Sequence, residues 1–247
     1  HYRLSSFISA ALITGAYLII YIAFHTITEG TLKGLDLSLL TLFILNGIGI
    51  LFSQPFTYIY ERTFGLVSDV SLLELSDTNS SLLRQLSEKA PGTFQHSMQV
   101  ANLAEAAAAE IGANTLLVRV GALYHDIGKM QNPLYFIENQ KTSLNPHDQL
   151  TPLQSAKVII KHVADGIELA RKHKLPERLI DFIRTHHGRS LTYYFYRKEL
   201  DTNPNAKEED FRYPGPIPFS KETAILMMAD SVEAATKSLK NPTYEAL

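Results

Sequence analysis

The stretch Ala122-Leu123-Tyr124-His125-Asp126-Ile127-Gly128-Lys129 sets a histidine beside an aspartate at the end of an apolar run, then closes the run with a glycine and a lysine. The preceding residues, Thr115 to Tyr124, have the spacing of a largely buried helix, so the pair emerges from a domain interior. Adjacent imidazole and carboxylate ligands suit a divalent cation, and a carboxylate can also bridge a second one. Taken alone, such a pair reads first as a helix end satisfied by local hydrogen bonds and only second as a metal site.

Its company changes that reading. His96 lies upstream, and His162, His186-His187 and Asp230 lie downstream, each within a helical pattern or at its end. Those helices are expected from Pro91 to about Ile111, from Thr151-Pro152 to about His173, from Pro176 to Gly188, from Leu191 to Leu200 and from Lys221 to about Leu239. Asp201 to Pro218, polar and proline-bearing, reads as a long loop or lid, and no segment reads as a strand. The expected class is therefore all-α, a helical bundle.

Toward the N-terminus two runs carry no charge, Phe7 to Phe24 and Leu37 to Phe52. Each approaches the ~20 residues that cross a ~30 Å hydrocarbon layer, so residues 1–55 are expected to form a two-helix transmembrane hairpin. Arg3 and Arg62 flank the runs, while the loop between them holds Lys33 against Glu29 and Asp36. Basic residues gather on the cytoplasmic side, which puts both flanks and the C-terminal domain there, with Tyr2, Tyr58 and Tyr60 at the interface. Residues 56–90 keep leucines at helical spacing and read as an amphipathic connector, leaving 91–247 as the cytoplasmic domain. A start at His1, running straight into apolar sequence, reads as the interior of a longer protein.

Composition narrows the function. With 23 basic and 25 acidic residues the formal net charge is −2, which gives no reason to expect a nucleic-acid polymer as partner. The absence of cysteine excludes disulfides, zinc-thiolate sites and thiol nucleophiles. An imidazole and carboxylate set without thiolate suits iron or manganese better than magnesium.

The order H…HD…H…HH…D resembles the HD-domain metal-dependent phosphohydrolases. Pro91-Gly92-Thr93-Phe94-Gln95-His96-Ser97, His125-Asp126-Ile127-Gly128-Lys129 and Thr185-His186-His187-Gly188, following a membrane segment, look like the seven-transmembrane, PgpH-like group of cyclic di-AMP phosphodiesterases. The HD-GYP relatives carry Gly-Tyr-Pro after the paired histidines; here Gly188-Arg189-Ser190 follows, and Tyr213-Pro214 is preceded by Arg212. The resemblance implies two divalent metal ions. His96, His125, Asp126 and Asp230 would hold one, and Asp126 would bridge to a second held by His162, His186 and His187. It further implies catalytic roles for Asp126 and Lys129, with Lys129 and Arg189 as phosphate contacts; Lys129 and Arg189 also read as helix-end cations. Within Tyr193-Tyr194-Phe195-Tyr196, Tyr194 is a candidate for stacking on a base, although such a run is also ordinary packing.

The expected activity is hydrolysis of cyclic di-AMP to the linear dinucleotide by a multi-pass plasma-membrane enzyme, with a homo-oligomer left open. A nucleoside polyphosphate hydrolase on the same scaffold and a non-catalytic membrane-tethered nucleotide sensor are the alternatives.

Overall fold

The computed structural model describes residues 2–140 and 144–238, with the side chains of residues 2–6, 54, 62 and 238 outside the description. The side chains of Tyr2, Arg3 and Arg62, on which the expected orientation partly rests, thus lie outside it, as does Leu239 at the expected end of the last helix. The chain is all-α and divides into two units, residues 1–70 and 71–247. Among the described residues the one β feature is an isolated antiparallel bridge between Leu191 and Arg212.

The first unit pairs α1 (Tyr2–Glu29) with α2 (Leu37–Phe64). Within them Phe7–Glu29 and Leu37–Glu61 are long and apolar enough to cross a membrane. Their large side chains, Leu12, Ile19, Ile20 and Phe24 among them, are exposed, which in water would be an unfavourable apolar surface. Tyr17 stacks on Phe43 with ring centroids 5.6 Å apart, and the Tyr21 hydroxyl accepts from the Asp36 N–H at 2.9 Å. α2 does not stop near residue 55. It runs through Pro55, which removes one helical hydrogen bond without ending the helix, and closes at Gly65, whose N–H returns to the Glu61 carbonyl.

The second unit is built on α5 (Pro91–Glu110). Its buried face, Val100, Ala101, Ala104 and Ala108, is small enough for α6 (Thr115–Tyr124) to lie close along it. Asn114 starts α6 by accepting the Leu117 N–H at 2.9 Å. α8 (Glu177–Thr185) packs on α6, and α10 (Lys221–Ser238) packs on both α5 and α6. α7 (Pro152–Lys172) opens with a reciprocal cap between Thr151 and Gln154 and carries α9 (Tyr193–Leu200). The short α3 (Asp69–Leu75) and α4 (Ser81–Lys89) bury Leu72, Leu82, Leu83 and Leu86. Each fully buried leucine contributes about 1.5–3 kcal/mol.

Two departures from expectation bear on the site. The apolar run ends at Tyr124, His125 caps it, and Gly128 with Lys129 falls inside a 3₁₀ turn, Ile127–Gln131, instead of stopping the helix. A Cβ on Gly128 would come within 1.9 Å of the His162 carbonyl oxygen, so glycine is what lets this turn lie on α7. The segment from Asp201 to Pro218 is likewise no free lid. It contains a 3₁₀ turn, Glu208–Phe211, and buries Phe211 and Tyr213 because both are too apolar to leave in water. It is also tied down by Thr192 N–H to Phe211 O at 2.9 Å and Tyr213 N–H to Ser190 O at 3.0 Å. The helices expected from Leu191 and to Gly188 begin at Tyr193 and end at Thr185.

Candidate metal centre

Five helices converge on Asp126. His96 comes from α5, His125 caps α6, His162 comes from α7, His186 caps α8 with His187 next to it, and Asp230 comes from α10. One oxygen of Asp126, Oδ2, lies 3.2 Å from His125 Nε2 and 3.5 Å from His96 Nε2. The other, Oδ1, lies 3.3 Å from His162 Nε2 and 3.5 Å from His186 Nε2. Asp230 Oδ1 adds contacts of 3.0 Å to His96 Nε2 and 3.8 Å to His125 Nε2. Two groups of donor atoms result, His96, His125 and Asp126 in one, His162, His186 and His187 in the other, each within 4.8 Å. The carboxylate thus spans both.

The imidazole tautomers decide what these groups accept. His125, His162 and His186 each place Nδ1 on the carbonyl three residues earlier, at 2.7, 2.6 and 2.8 Å, and His96 places Nδ1 2.8 Å from Glu233 Oε2. A carbonyl or carboxylate only accepts, so Nδ1 carries a proton and Nε2 turns inward, where it offers a lone pair once the ring holds no second proton. The His162 and His186 Nε2 atoms stand 3.2 Å apart. His125 Nε2 and Asp126 Oδ1 are buried with no hydrogen-bond partner among the described residues. Lone pairs directed at lone pairs around a buried carboxylate call for positive charge between them, and this donor set fits divalent cations.

Electrostatics agree. Burial pushes His186 and His187 below the ordinary imidazole value, which keeps them neutral. Burial would lower His125 too, but the adjoining Asp126 and then Asp230 outweigh it and raise His125 to about 9. Burial would raise Asp126 and Asp230; instead His125 and Lys129 hold Asp126 well below the usual carboxylate range, and His96 and His125 hold Asp230 below it.

Lys129 is more deeply engaged than its sequence position implies. Its ammonium lies 2.7 Å from Asp126 Oδ2 and 2.9 Å from Glu138 Oε1, and 5.0 Å from the centroid of Phe136. Burial alone would lower Lys129, yet the two carboxylates keep it protonated. Glu138 is itself held by the Thr93 hydroxyl at 3.0 Å, and Asn139 Oδ1 accepts the Gly92 and Thr93 N–H groups at 2.9 and 3.2 Å. A Cβ on Gly92 would meet the Glu138 carbonyl oxygen at 1.8 Å. The Pro91-Gly92-Thr93 sequence is therefore the seat of the turn that steadies Lys129.

Three residues at the site were not anticipated. Glu138 sits in a stretch that reads as plain loop. Glu233 follows Asp230 by three residues on the same helix face, the one local signal available, and also pairs with Lys237. Tyr213 lies with its ring stacked on His187, centroids 4.2 Å apart. Arg189 is exposed, its stem against Gly215, and is not brought to the histidines by any contact among the described residues. Tyr194 is 69% exposed on α9, and with Phe195, Lys198 and Ser155 it lines a small cleft at the start of α7.

Comparison with known proteins places this geometry. A family model described as HD domain matches residues 93–235. The cyclic-di-AMP phosphodiesterase PgpH of Listeria monocytogenes is 52% identical over 185 residues, 75% of this chain and 26% of that protein. The PgpH of Bacillus subtilis is 45% identical over 235 residues, 93% of this chain and 33% of that protein. The crystal structure of the L. monocytogenes PgpH HD domain in complex with cyclic-di-AMP superposes with a TM-score of 0.67 at 53% identity, covering 69% of this chain and 79% of that one. The chain thus spans about a quarter to a third of the length of these curated relatives.

Proposed function

The chain belongs to the HD domain family, and from that premise we propose that it is a membrane-anchored, metal-dependent phosphodiesterase that opens cyclic di-AMP to the linear dinucleotide pApA. The observation that carries this is the single carboxylate, Asp126, whose two oxygens serve two separate imidazole pairs. A binding module has no need of such a bridge. The likeness to a domain crystallised with cyclic-di-AMP supports the substrate.

His96, His125, Asp126 and Asp230 would hold one divalent ion, and Asp126, His162, His186 and His187 the other, iron or manganese suiting these ligands best. Such a pair supplies, when bound, Lewis acidity and a water acidic enough to attack a phosphodiester at neutral pH. The protein contributes orientation and charge. Nδ1 bonds aim the imidazoles, Glu138 keeps the Lys129 ammonium beside Asp126, and that ammonium offsets negative charge growing on a phosphoryl oxygen. Arg189 and Tyr194, both exposed, are available for the second phosphate and a base.

The two apolar helices anchor the protein in the plasma membrane, with the metal-bearing unit in the cytoplasm. Reporter fusions after Glu61 and between Glu29 and Lys33 should report opposite sides; one common side overturns this topology. Product analysis tests the activity. Purified protein loaded with Mn²⁺ or Fe²⁺ and given a panel of cyclic dinucleotides and nucleoside polyphosphates should yield pApA from cyclic di-AMP. Release of phosphate or pyrophosphate from the polyphosphates, with cyclic di-AMP untouched, transfers the function to that class.

A further inference from the structure

Tyr213 and Tyr124 are both largely buried tyrosines, 6% and 1% exposed, but only one has its hydroxyl accounted for. The Tyr124 hydroxyl lies 3.0 Å from the Leu75 carbonyl and 3.2 Å from Ser80 Oγ, a structural arrangement. The Tyr213 hydroxyl has no hydrogen bond among the described residues, and it is not among the polar atoms sealed from solvent. A phenol whose ring is buried while its oxygen meets only solvent is free to donate to a ligand that displaces that water.

Its placement says which ligand. The ring stacks on His187 at an interplanar angle of 27° and stands edge-on to His162, 6.0 Å between centroids. Both histidines belong to the donor group on the Oδ1 side of Asp126, so the ring forms a wall of that half of the centre. The backbone fixes it there: Tyr213 N–H donates to Ser190 O at 3.0 Å, and Arg212 Nη1 donates to Arg189 O at 2.8 Å. The Leu191–Arg212 bridge completes the clasp, so the phenol is tied directly to the segment that bears His186 and His187. The phenol would act beside Lys129, which two carboxylates hold next to Asp126, whereas Arg189 lies exposed along Gly215.

We propose that Tyr213 is a catalytic residue whose phenol donates a hydrogen bond to a non-bridging oxygen of the scissile phosphodiester. The proposal rests on the phosphodiesterase reading above for its substrate, but on the Tyr213 geometry for its donor. Substrate brings the acceptor that the hydroxyl lacks, and the bond strengthens as charge builds on the phosphoryl group. A neutral donor suits this position because it adds no repulsion beside the cations the site would hold.

The test uses the full chain loaded with Mn²⁺. Tyr213→Phe keeps the stack on His187 and removes only the hydroxyl; Tyr213→Ala removes both. In Tyr213→Phe, kcat for cyclic di-AMP should fall about 100-fold and KM change by less than about threefold. Bound manganese should stay at the wild-type level, and calorimetry should show inorganic phosphate binding about tenfold more weakly. Tyr213→Ala should in addition lose manganese. Unchanged kcat and unchanged phosphate affinity in Tyr213→Phe overturn the proposal, as does equal manganese loss in both variants, which would make the residue structural only. If the wild type leaves cyclic di-AMP intact, the phosphodiesterase reading fails on its own. Phosphate affinity, with turnover of bis(p-nitrophenyl) phosphate, then decides Tyr213 by the same comparison.

Discussion

The Lys129 ammonium sits 2.7 Å from Oδ2 of Asp126, the oxygen that also faces His96 and His125. A cation bound at that oxygen competes with the ammonium, which is then left to Glu138 and to an incoming phosphate. Lys129→Ala is therefore expected to bind Mn²⁺ at least as tightly as wild type while kcat falls about 100-fold, more than KM changes. Elemental analysis beside steady-state kinetics checks both halves. Loss of metal in step with rate would make Lys129 an organiser of the site instead.

If Asp126 bridges, its removal differs in kind from removal of a ligand to one ion. Asp126→Ala should release both ions, whereas His162→Ala should retain the one held by His96, His125 and Asp230. Circular dichroism should show unchanged helix content in each. Full metal stoichiometry in Asp126→Ala would sink the bridging role.

Glu233 accepts from Nδ1 of His96 at 2.8 Å and so sets both its tautomer and its aim. Glu233→Ala should weaken metal binding at that site about 10–100-fold. Glu233→Gln keeps an acceptor and should lose less. Chelator competition measures the difference, and equal affinity in all three proteins would remove Glu233 from the ligand shell.

The pH dependence follows from His125. In the metal-free protein its pKa is raised to about 9, so it is protonated below that pH, while His186 and His187, lowered by burial, are neutral. A metal must displace the His125 proton. Apparent affinity should therefore climb about tenfold per pH unit from pH 7 and level off as pH passes through the raised value. A flat profile from pH 7 to 10 would contradict a protonated His125.

Gly128 admits no side chain, since a Cβ would stand 1.9 Å from the His162 carbonyl. Gly128→Ala should destabilise the domain by about 3 kcal/mol, seen as a lower thermal midpoint, and should loosen metal binding as the turn lifts from α7. An unchanged midpoint would mean that the turn moves without cost.

The sequence exposed those parts of the site whose logic is local. His125-Asp126 ends an apolar run, and His186-His187 ends another, so their residue types conflict with their surroundings and draw notice. The helical class and the two uncharged runs were legible for the same reason, periodicity and length. Glu138, Glu233 and Tyr213 were not, because each earns its place only by meeting a residue far along the chain: Lys129, His96 and His187. In sequence Gly128 reads as a helix stop, since a glycine needed for close approach to a distant helix looks like any glycine after an apolar run. Arg189 and Tyr194 were singled out by residue type and neighbourhood, and neither property fixes the direction in which an exposed side chain points.

Three of the imidazoles, His125, His162 and His186, take their orientation from a carbonyl three residues back in their own chain segment. No neighbouring side chain is needed to aim them, so substitutions in the surrounding core can accumulate without turning these rings. His96 has no such provision, and its direction depends on a carboxylate from another helix. Transplanted into a designed bundle, the first three would travel with a single turn of backbone each; His96 would arrive correctly aimed only if Glu233 came with it.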